Sequence, residues 1–406
     1  MGYTRSVLKG VSWMTALQTV IRVLTFLKIA VLARVLTPAQ FGIFGIAALI
    51  LAFLEILTET GINVILIQSK ETIDKYLDSA WVASILRGII ICFGIVVLSP
   101  FVSSFFNSPG SLRIILLISL APLIKGFINP AEIIYQKELK FKSEFLFRTS
   151  LFFIDALTAI VFALVTHSVY SLAFGLIAAA ILEVILSFML IRIRPKFTFN
   201  SDYLREIFHK GKWVTGFSIF NYFGENGDNI VVGKLLGTTP LGFYQMAYRV
   251  SIIPITEISD VVNKVIFPIF SKIEGDKKRL LLAFGKTMSI NLFGTIVLGL
   301  IIFIFPKEVI NIVLGSQWIM AVDVLRVLAI FGIVKAIMSP VSVILLATGN
   351  QKYLTLVTLI RFVTLMIFIF PFVLSFGIMG AGYAQLISAV IEMGVFIFFA
   401  HKIFKN

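Results

Sequence analysis

Apolar residues in this chain form long runs that are separated by short polar connections. A helix needs about 20 mainly apolar residues to cross a bilayer. The pattern predicts an all-α polytopic membrane protein with about twelve transmembrane helices. They fall at about 11–34, 41–62, 80–100, 112–134, 149–167, 170–191, 213–234, 241–269, 281–305, 321–347, 353–375 and 378–400.

The second half of the chain repeats the first half at a nearly constant offset. Three segment pairs carry the repeat: 33–44 with 233–244, 123–130 with 333–340, and 175–183 with 384–392. One duplication explains all three. We expect two six-helix lobes, at 1–195 and 213–406, joined by a cytoplasmic linker at 196–212. Six spans per half insert the two lobes the same way up, so their pseudo-two-fold axis should run along the membrane normal.

Composition supports the membrane assignment. Of 406 residues, 59% are hydrophobic and only 14% are charged, with a mean hydropathy of +1.01. Soluble domains have about 25% charged residues. Cys92 is the only cysteine, which argues against a disulfide framework or a Cys-based metal site. The three histidines show no metal spacing, so we predict no metal and no cofactor.

Loop charges predict the orientation of the spans. With the N-terminus inside, about 21 lysines and arginines lie in cytoplasmic segments and about four at outside ends. We therefore expect both termini in the cytoplasm and no cleavable signal peptide. The same bias explains the net charge of +14 without a nucleic-acid partner. The connectors 135–148 and 192–212 are basic and are expected to lie against anionic lipid.

About ten cationic residues lie within the predicted spans, where a charge facing lipid is unfavourable. Four of them sit near span ends and are expected to reach the interface: Lys264, Lys286, Arg326 and Arg361.

Arg22 and Lys28 lie near the middle of the first span. Six residues apart, they differ by about 120° in azimuth and about 9 Å along the axis. Both can line one broad cavity wall at different depths. This arrangement suits an anionic headgroup that must travel across the membrane. Arg249 in the eighth span is a third candidate for substrate binding. The alternative is that these cations only pair with intramembrane acids.

Acidic residues within the spans are candidates for coupling or gating. Glu55 and Glu59 share a helix face, and two nearby carboxylates in low dielectric resist ionising together. This is typical of a proton or Na⁺ site. The alternatives are pairing with a neighbouring cation and exposure to cavity water. Glu225 and Asp228 lie in the most polar intramembrane segment of the chain.

The repeat relates further gating candidates. Asp228 occupies the place of Lys28 at the 200-residue offset, which predicts a breakable ion pair between the lobes. Lys125 and Lys335 are equivalent as well, and each precedes a proline by five residues, at Pro130 and Pro340. Proline kinks a helix. Duplicated kinks suit helices that gate a cavity, although static packing explains them equally well.

Several segments resemble a known family. They are VLARVLTPAQFGIFGIAALI, ETGINVILIQSKE, DNIVVGKLLGTTPLGFYQMAYRV and FPIFSKIEGDKKRL. They are similar to the bacterial polysaccharide transport family, the Wzx-type flippases of the multidrug/oligosaccharidyl-lipid/polysaccharide exporter superfamily. The resemblance covers about residues 5–350.

The resemblance implies two six-helix lobes in a V shape, in the bacterial inner membrane. It implies export of undecaprenyl-diphosphate-linked oligosaccharide by alternating access, for O-antigen, capsule or exopolysaccharide assembly. Membrane lipids, a coupling ion (H⁺ or Na⁺) and other polysaccharide assembly proteins are the expected partners. Some members have fourteen spans, whereas this pattern stops at twelve.

Two other functions remain open at this point. One is a drug or metabolite exporter of the same superfamily, for which an acidic cavity is expected. The other is a membrane glycan polymerase or acyltransferase. No soluble catalytic module is encoded, and no outside loop exceeds about 15 residues. The sequence therefore predicts a transporter and not an enzyme.

Overall fold

The computed structural model describes the backbone of residues 2–58, 74–138, 140–198, 201–273 and 275–405. Side chains are described for the same residues except 2–11, 74–76, 201–217, 264, 268, 277, 351 and 400–405. Every regular element in these ranges is helical. The chain divides into two compact units, Met1–Tyr222 and Phe223–Asn406.

The described part of the first unit contains eight complete helices and the beginning of a ninth. They are α1 (Gly2–Val35), α2 (Pro38–Leu57), α3 (Asp74–Phe105), α4 (Pro109–Ile118), α5 (Leu120–Lys125), α6 (Ile134–Lys137), α7 (Phe141–Thr166), α8 (Tyr170–Leu190) and α9 (Ser201–Leu236). A short 3₁₀ turn, Pro130–Ile133, precedes α6. Within this unit α7 packs against both α1 and α8.

The described part of the second unit contains the end of α9 and six further helices. They are α10 (Thr238–Ile273), α11 (Lys277–Ile304), α12 (Pro306–Val313), α13 (Val322–Ala347), α14 (Gln351–Phe376) and α15 (Ile378–Lys405). A 3₁₀ turn, Ser316–Ala321, leads into α13. Helix α13 is the central element of the unit, because it packs against α10, α11 and α15 and most of its residues are buried.

The prediction of an all-helical membrane protein is confirmed. Among the described residues, nine helical segments are long and apolar enough to cross a membrane, and a bent pair raises the number to ten. The predicted seventh and eighth spans lie in α9 and α10, which have 36 residues each and are not among those nine. The exact count of twelve spans stays a prediction.

Local sequence signals explain where α2 begins. Thr37 accepts a hydrogen bond from the Gln40 backbone N–H, and the Gln40 side chain accepts one from the Thr37 backbone. This reciprocal capping box satisfies two donors that a helix start otherwise leaves open. Pro38 takes the first helical position, where its missing N–H is not needed.

The predicted fourth span is broken before Pro130. The segments Pro109–Lys125 and Pro130–Lys137 meet at an angle of 72°. Two glycines allow α3 and α5 to approach closely beside the break. A Cβ atom on Gly88 would lie 2.6 Å from the Pro122 carbonyl oxygen, and one on Gly126 would lie 3.0 Å from the Ser84 carbonyl oxygen.

The proline at the equivalent place in the second half has a different setting. Pro340 lies inside the continuous helix α13 and has no N–H for the carbonyl of Ala336, four residues earlier. Asn291 Nδ2 donates to this carbonyl oxygen at 2.7 Å, and Ser259 Oγ lies 3.1 Å from it. Side chains of α11 and α10 thus replace the hydrogen bond that the proline removes. The two repeat-related prolines therefore differ, one following a break and the other held within a helix.

This replacement yields a stability prediction. We expect Asn291→Ala to lower the free energy of unfolding by about 1–3 kcal/mol, because it leaves a buried carbonyl poorly satisfied. In a Pro340→Ala background the same substitution should have a much smaller effect, since position 340 then supplies its own N–H. Thermal unfolding of the purified protein in detergent measures both differences.

The matched control is Ser289→Ala on the same helix. Among the described residues, its exposed hydroxyl donates only to the Gly285 carbonyl, so the substitution should change stability little. Equal losses from Asn291→Ala in both backgrounds would contradict the proposed replacement.

Candidate functional site

Lys28 of α1 makes a close ion pair within the first unit. Its Nζ lies 2.7 Å from both carboxylate oxygens of Asp155 on α7. The two side chains are only 13% and 15% exposed. Gly175 of α8 leaves room for the pair, because a Cβ atom there would lie 2.6 Å from Asp155 Oδ1. Three helices therefore fix the position of the Lys28 ammonium group.

The other cations proposed for substrate binding differ in exposure. Arg22 is half-buried on α1, whereas Arg249 is exposed on α10. Within the described part of the chain, the Arg249 guanidinium has no hydrogen bond or ion pair. A strongly hydrated group on a predicted membrane-spanning helix needs water or an anion. Of the three cations proposed for substrate binding, Arg249 is thus the exposed one without a described partner.

Of the paired carboxylates predicted in the second span, only one lies within the described residues. Glu55 is half-buried, and Arg87 of α3 donates to its backbone carbonyl at 2.9 Å and to the Thr58 hydroxyl at 3.3 Å. Glu59 lies outside the described residues. A proton or Na⁺ site at these two carboxylates stays a prediction.

Glu225 of α9 joins two cations within the second unit. Its Oε2 lies 3.0 Å from Lys335 Nζ on α13, and its Oε1 lies 3.2 Å from Arg361 Nη1 on α14. Arg361 Nε lies 3.7 Å from Glu392 Oε2 on α15. Both cations also approach the Phe331 ring, with centroid distances of 6.0 and 5.8 Å. Two cations and two carboxylates balance one another in this cluster.

Asp228 lies one turn beyond Glu225 and is fully buried. Its Oδ2 accepts hydrogen bonds from Tyr244 Oη and Gln385 Nε2, both at 2.7 Å. Its Oδ1 accepts from the Asn229 backbone N–H at 2.7 Å. Within the described part of its unit, hydrogen bonds hold this carboxylate, and no cation does. The predicted approach of Lys28 to Asp228 in at least one state stays a prediction.

The gating candidates related by the repeat have unlike surroundings. Lys335 is paired with Glu225, whereas Lys125 is exposed at the end of α5, just before the break that precedes Pro130. Sequence equivalence therefore does not extend to the environment of the two ammonium groups. Among the described residues, no group of three or more His, Cys, Asp or Glu side chains is placed to hold a metal ion.

Sequence reasoning missed one ion pair that occurs in both units. Glu183 of α8 lies 2.9 Å from Arg148 of α7, and its repeat equivalent Glu392 pairs with Arg361. Arg361 was expected to reach the membrane interface, but this interpretation is wrong, because its side chain is only 11% exposed and faces two carboxylates. The sequence feature that could have revealed this ion pair is the glutamate present in both repeats, together with an arginine on the helix that precedes each glutamate.

These features define a polytopic α-helical membrane protein whose intramembrane charges form compact networks. The sequence profile of a family described as polysaccharide biosynthesis protein matches residues 31–323. The chain belongs to this family.

Individual known proteins resemble this chain in sequence or in fold. The lipopolysaccharide biosynthesis protein WzxC of Escherichia coli K12 is 27% identical over 367 residues, which cover 86% of this chain and 72% of WzxC. The solved structure of the lipid II flippase MurJ in an inward closed conformation superposes with a TM-score of 0.79 at 18% identity, covering 96% of this chain and 88% of MurJ. An inward-facing MATE multidrug resistance transporter of the MOP superfamily gives 0.71 at 14% identity, covering 96% of both chains. These two likenesses show a shared fold.

The Lys28–Asp155 pair can be tested separately from any contact of Lys28 with substrate. Asp155→Leu leaves a poorly solvated ammonium group without its counter-charge, and we expect a loss of up to about 3 kcal/mol in stability. The double variant Lys28→Met, Asp155→Leu removes both charges and should recover most of that loss. Thermal unfolding in detergent measures this coupling.

Transport by the same double variant then separates the two roles of Lys28. If the ammonium group contacts substrate, the stable double variant should still fail to transport. Normal transport by that variant would restrict Lys28 to pairing with Asp155.

Proposed function

We propose that this protein is a flippase that moves an undecaprenyl-diphosphate-linked oligosaccharide across the bacterial inner membrane. The observation that carries the proposal is that a member of a polysaccharide biosynthesis family has the fold of a lipid II flippase over 96% of its length. The cargo serves O-antigen, capsule or exopolysaccharide assembly. Transport requires no catalytic group, and the protein is accordingly a transporter and not an enzyme.

Alternating access is the proposed mechanism. Two six-helix lobes, at 1–195 and 213–406, are joined by a cytoplasmic linker at 196–212 and rock about an axis along the membrane normal. The length of α9 and α10 supports a count of twelve spans, because 36 residues per helix exceed what a bilayer requires. The sugar and diphosphate enter from the cytoplasm and leave outside, while the lipid tail stays in the bilayer.

Arg22, Lys28 and Arg249 are the proposed diphosphate ligands. Guanidinium groups suit phosphate oxygens because they offer parallel N–H donors. The exposure of Arg249 and its lack of a described partner support its role. Lys28 would have to exchange Asp155 for the diphosphate or for Asp228 during the cycle.

Coupling and gating are assigned to groups that change partners. Glu55 and Glu59 are the proposed site for H⁺ or Na⁺, and Glu225 and Asp228 are proposed coupling or gating residues. The remaining gating residues are Lys125, Pro130, Lys335 and Pro340. The cluster of Glu225 with Lys335 and Arg361 supports this role, since a balanced ion pair network can be broken at one contact and reformed at another. Both termini are cytoplasmic, and membrane lipids and other polysaccharide assembly proteins are the proposed partners.

A drug or metabolite exporter is the second candidate function. The fold shared with a multidrug transporter favours it. A cation exporter needs acidic groups that face its cavity, whereas the exposed Arg249 suits an anion. A glycan polymerase or acyltransferase is a third candidate, which predicts unpolymerised or unmodified glycan outside the cell instead of unflipped glycan inside.

Substitution of the cations tests the flippase. Arg249→Ala and Arg22→Ala should each abolish glycan export at normal expression, because the diphosphate loses a charge-assisted hydrogen bond. The corresponding Lys variants should retain part of the activity, since charge survives without the paired donors. The measurement is accumulation of lipid-linked glycan on the inner leaflet of a deletion strain that expresses each variant.

Arg326→Ala is the matched control. This cation is exposed near the beginning of α13 and is expected at the outside interface, so export should stay near the wild-type level. Wild-type export from Arg249→Ala would remove that residue from the substrate site. If the deletion strain accumulates no inner-leaflet glycan, the flippase proposal itself fails.

A further inference from the structure

The chain leaves α8 as an extended strap and does not continue directly into another helix. Residues 191–198 have neither helical nor strand structure, and the backbone of Ile191 is extended. Ile191 is buried and Ile193 is half-buried, whereas Arg192 and Arg194 are exposed. Alternation with a period of two is typical of an extended segment that lies with one face against the protein. We refer to residues 191–198 as the strap.

The inner face of the strap covers a junction between two other elements of the first unit. Ile191 forms a buried cluster with Leu77 of α3 and Ala131 of the 3₁₀ turn, and Ile193 packs against this cluster. Apolar burial is favourable but has no direction. It holds the strap against the junction without fixing which residue lies opposite which.

Hydrogen bonds fix the strap at two points. Near its start, Asn129 Nδ2 donates to the Ile193 carbonyl oxygen at 2.8 Å. Near its end, both carboxylate oxygens of Asp78 on α3 are used. Oδ1 accepts from the Lys196 backbone N–H at 2.7 Å, and Oδ2 accepts from the Thr198 hydroxyl at 2.8 Å. Two directional anchors therefore set the position of the strap along its length.

Asn129 also holds the second arm of the bent fourth span, Pro130–Lys137, at its first residues. Asn129 is fully buried, and its Oδ1 accepts from the Ala131 N–H at 3.0 Å. Its backbone N–H donates to the Ser187 hydroxyl of α8 at 3.1 Å. Leaving such a buried donor or acceptor without a partner is unfavourable. A change of backbone direction that moves Asn129 must therefore break its hydrogen bond to Ile193.

Helix α3 connects the other end of the strap to the first arm of the bend, Pro109–Lys125. Phe127 follows this arm directly, and Trp81 Nε1 of α3 donates to its carbonyl oxygen at 3.2 Å. The Trp81 ring also meets the ring of Phe197 edge to face, with centroids 6.2 Å apart. Asp78 lies one turn before Trp81 on the same helix. The strap is thus anchored beside the first arm through Asp78 and at the second arm through Asn129.

We propose that the strap is a latch for this bend. While it is anchored at Asn129 and Asp78, the arms Pro109–Lys125 and Pro130–Lys137 keep their angle of 72°, and the angle changes only when the strap is released. The chain continues from the strap towards α9, so a displacement of α9 acts first on the Asp78 anchor. The latch thereby couples the segment that joins the two halves of the repeat to a broken span in the first half.

Distances between spin labels on the two arms test the latch. Cysteine substitutions at Arg113 and Glu138, both exposed, place one nitroxide on the first arm and one directly after the second. The background carries Cys92→Ser, because Cys92 is the only cysteine. Double electron–electron resonance in lipid nanodiscs should give one narrow distance distribution without further change. Asp78→Ala, at a half-buried position, should add a second distance population.

Hydrogen exchange shows whether the strap has been released. In Asp78→Ala the amides of the strap, including that of Lys196, should exchange faster because they lose their acceptor. Faster exchange with an unchanged distance distribution would show that the bend keeps its angle without the strap and would overturn the latch. Unchanged exchange would overturn it as well, since Asp78 would then not hold the strap.

Asp276→Ala is the matched control. The Asp276 carboxylate also accepts a backbone N–H, that of Arg279 at the beginning of α11 in the second unit. Its loss should leave both the distance distribution and the exchange of the strap unchanged. The same second population in this variant would assign the effect to general destabilisation and contradict the latch.

Asn129→Ser releases the strap at its other anchor. Serine is a good cap for a helical turn, so it can still accept from the Ala131 N–H, but it lacks the amide that donates to Ile193. We expect the same second distance population and the same faster exchange as in Asp78→Ala. A second population in Asn129→Ser alone would assign the bend to Asn129 itself and overturn the role of the strap. None of these readouts depends on transport, so an inactive flippase and an absent latch give different results.

Discussion

A charge inside a membrane must be compensated by the protein, and this constraint organises both units. An isolated ion in hydrocarbon is unfavourable by several kcal/mol even after it shifts toward the interface. Three of the described intramembrane cations, Lys28, Lys335 and Arg361, have carboxylates opposite them on another helix. Lys28 faces Asp155, and Arg361 lies between Glu225 and Glu392. Each pair links helices that apolar packing alone would hold with little orientational preference, since lipid tails are as apolar as the side chains.

The same constraint separates structural charges from those available to a ligand. An arginine that already contacts two carboxylates, as Arg148 and Arg361 do, has few free donors for a diphosphate. Arg249 is exposed and has no described partner. A carrier for an anionic headgroup needs such a cation, because binding must not require a strong internal pair to be broken first. Groups held in pairs are better suited to moving between alternative partners as the protein changes state.

Helices could be predicted from this sequence far more reliably than partners. Hydropathy depends only on the residues of one segment. The apolar runs that form α2, α8 and α11 are therefore evident without knowing which helices lie beside them. An ion pair depends on which helices are adjacent. Lys28 and Asp155 are 127 residues apart, and no periodicity relates them. Arg361 was misinterpreted for this reason, since distance from a span end says nothing about two carboxylates on neighbouring helices.

The sequence repeat recovers some of that missing information, because Glu183 and Glu392 occupy corresponding places in it. Both halves place an arginine opposite the glutamate of the last predicted span, at Arg148–Glu183 and Arg361–Glu392. Around this common pair the halves have diverged. Arg148 gains Glu132 beside a broken helix, whereas Arg361 gains Glu225, on the same helix as the buried Asp228.

The two repeat-related prolines also have different surroundings. Pro130 follows a bend of 72°, and Pro340 is kept within a helix by Asn291 and Ser259. A broken backbone can change its angle without losing helical hydrogen bonds, but a supported proline helix must first release its substitute donors. The two proline sites therefore differ in which contacts a change of backbone angle would break, although the sequence places proline at equivalent positions.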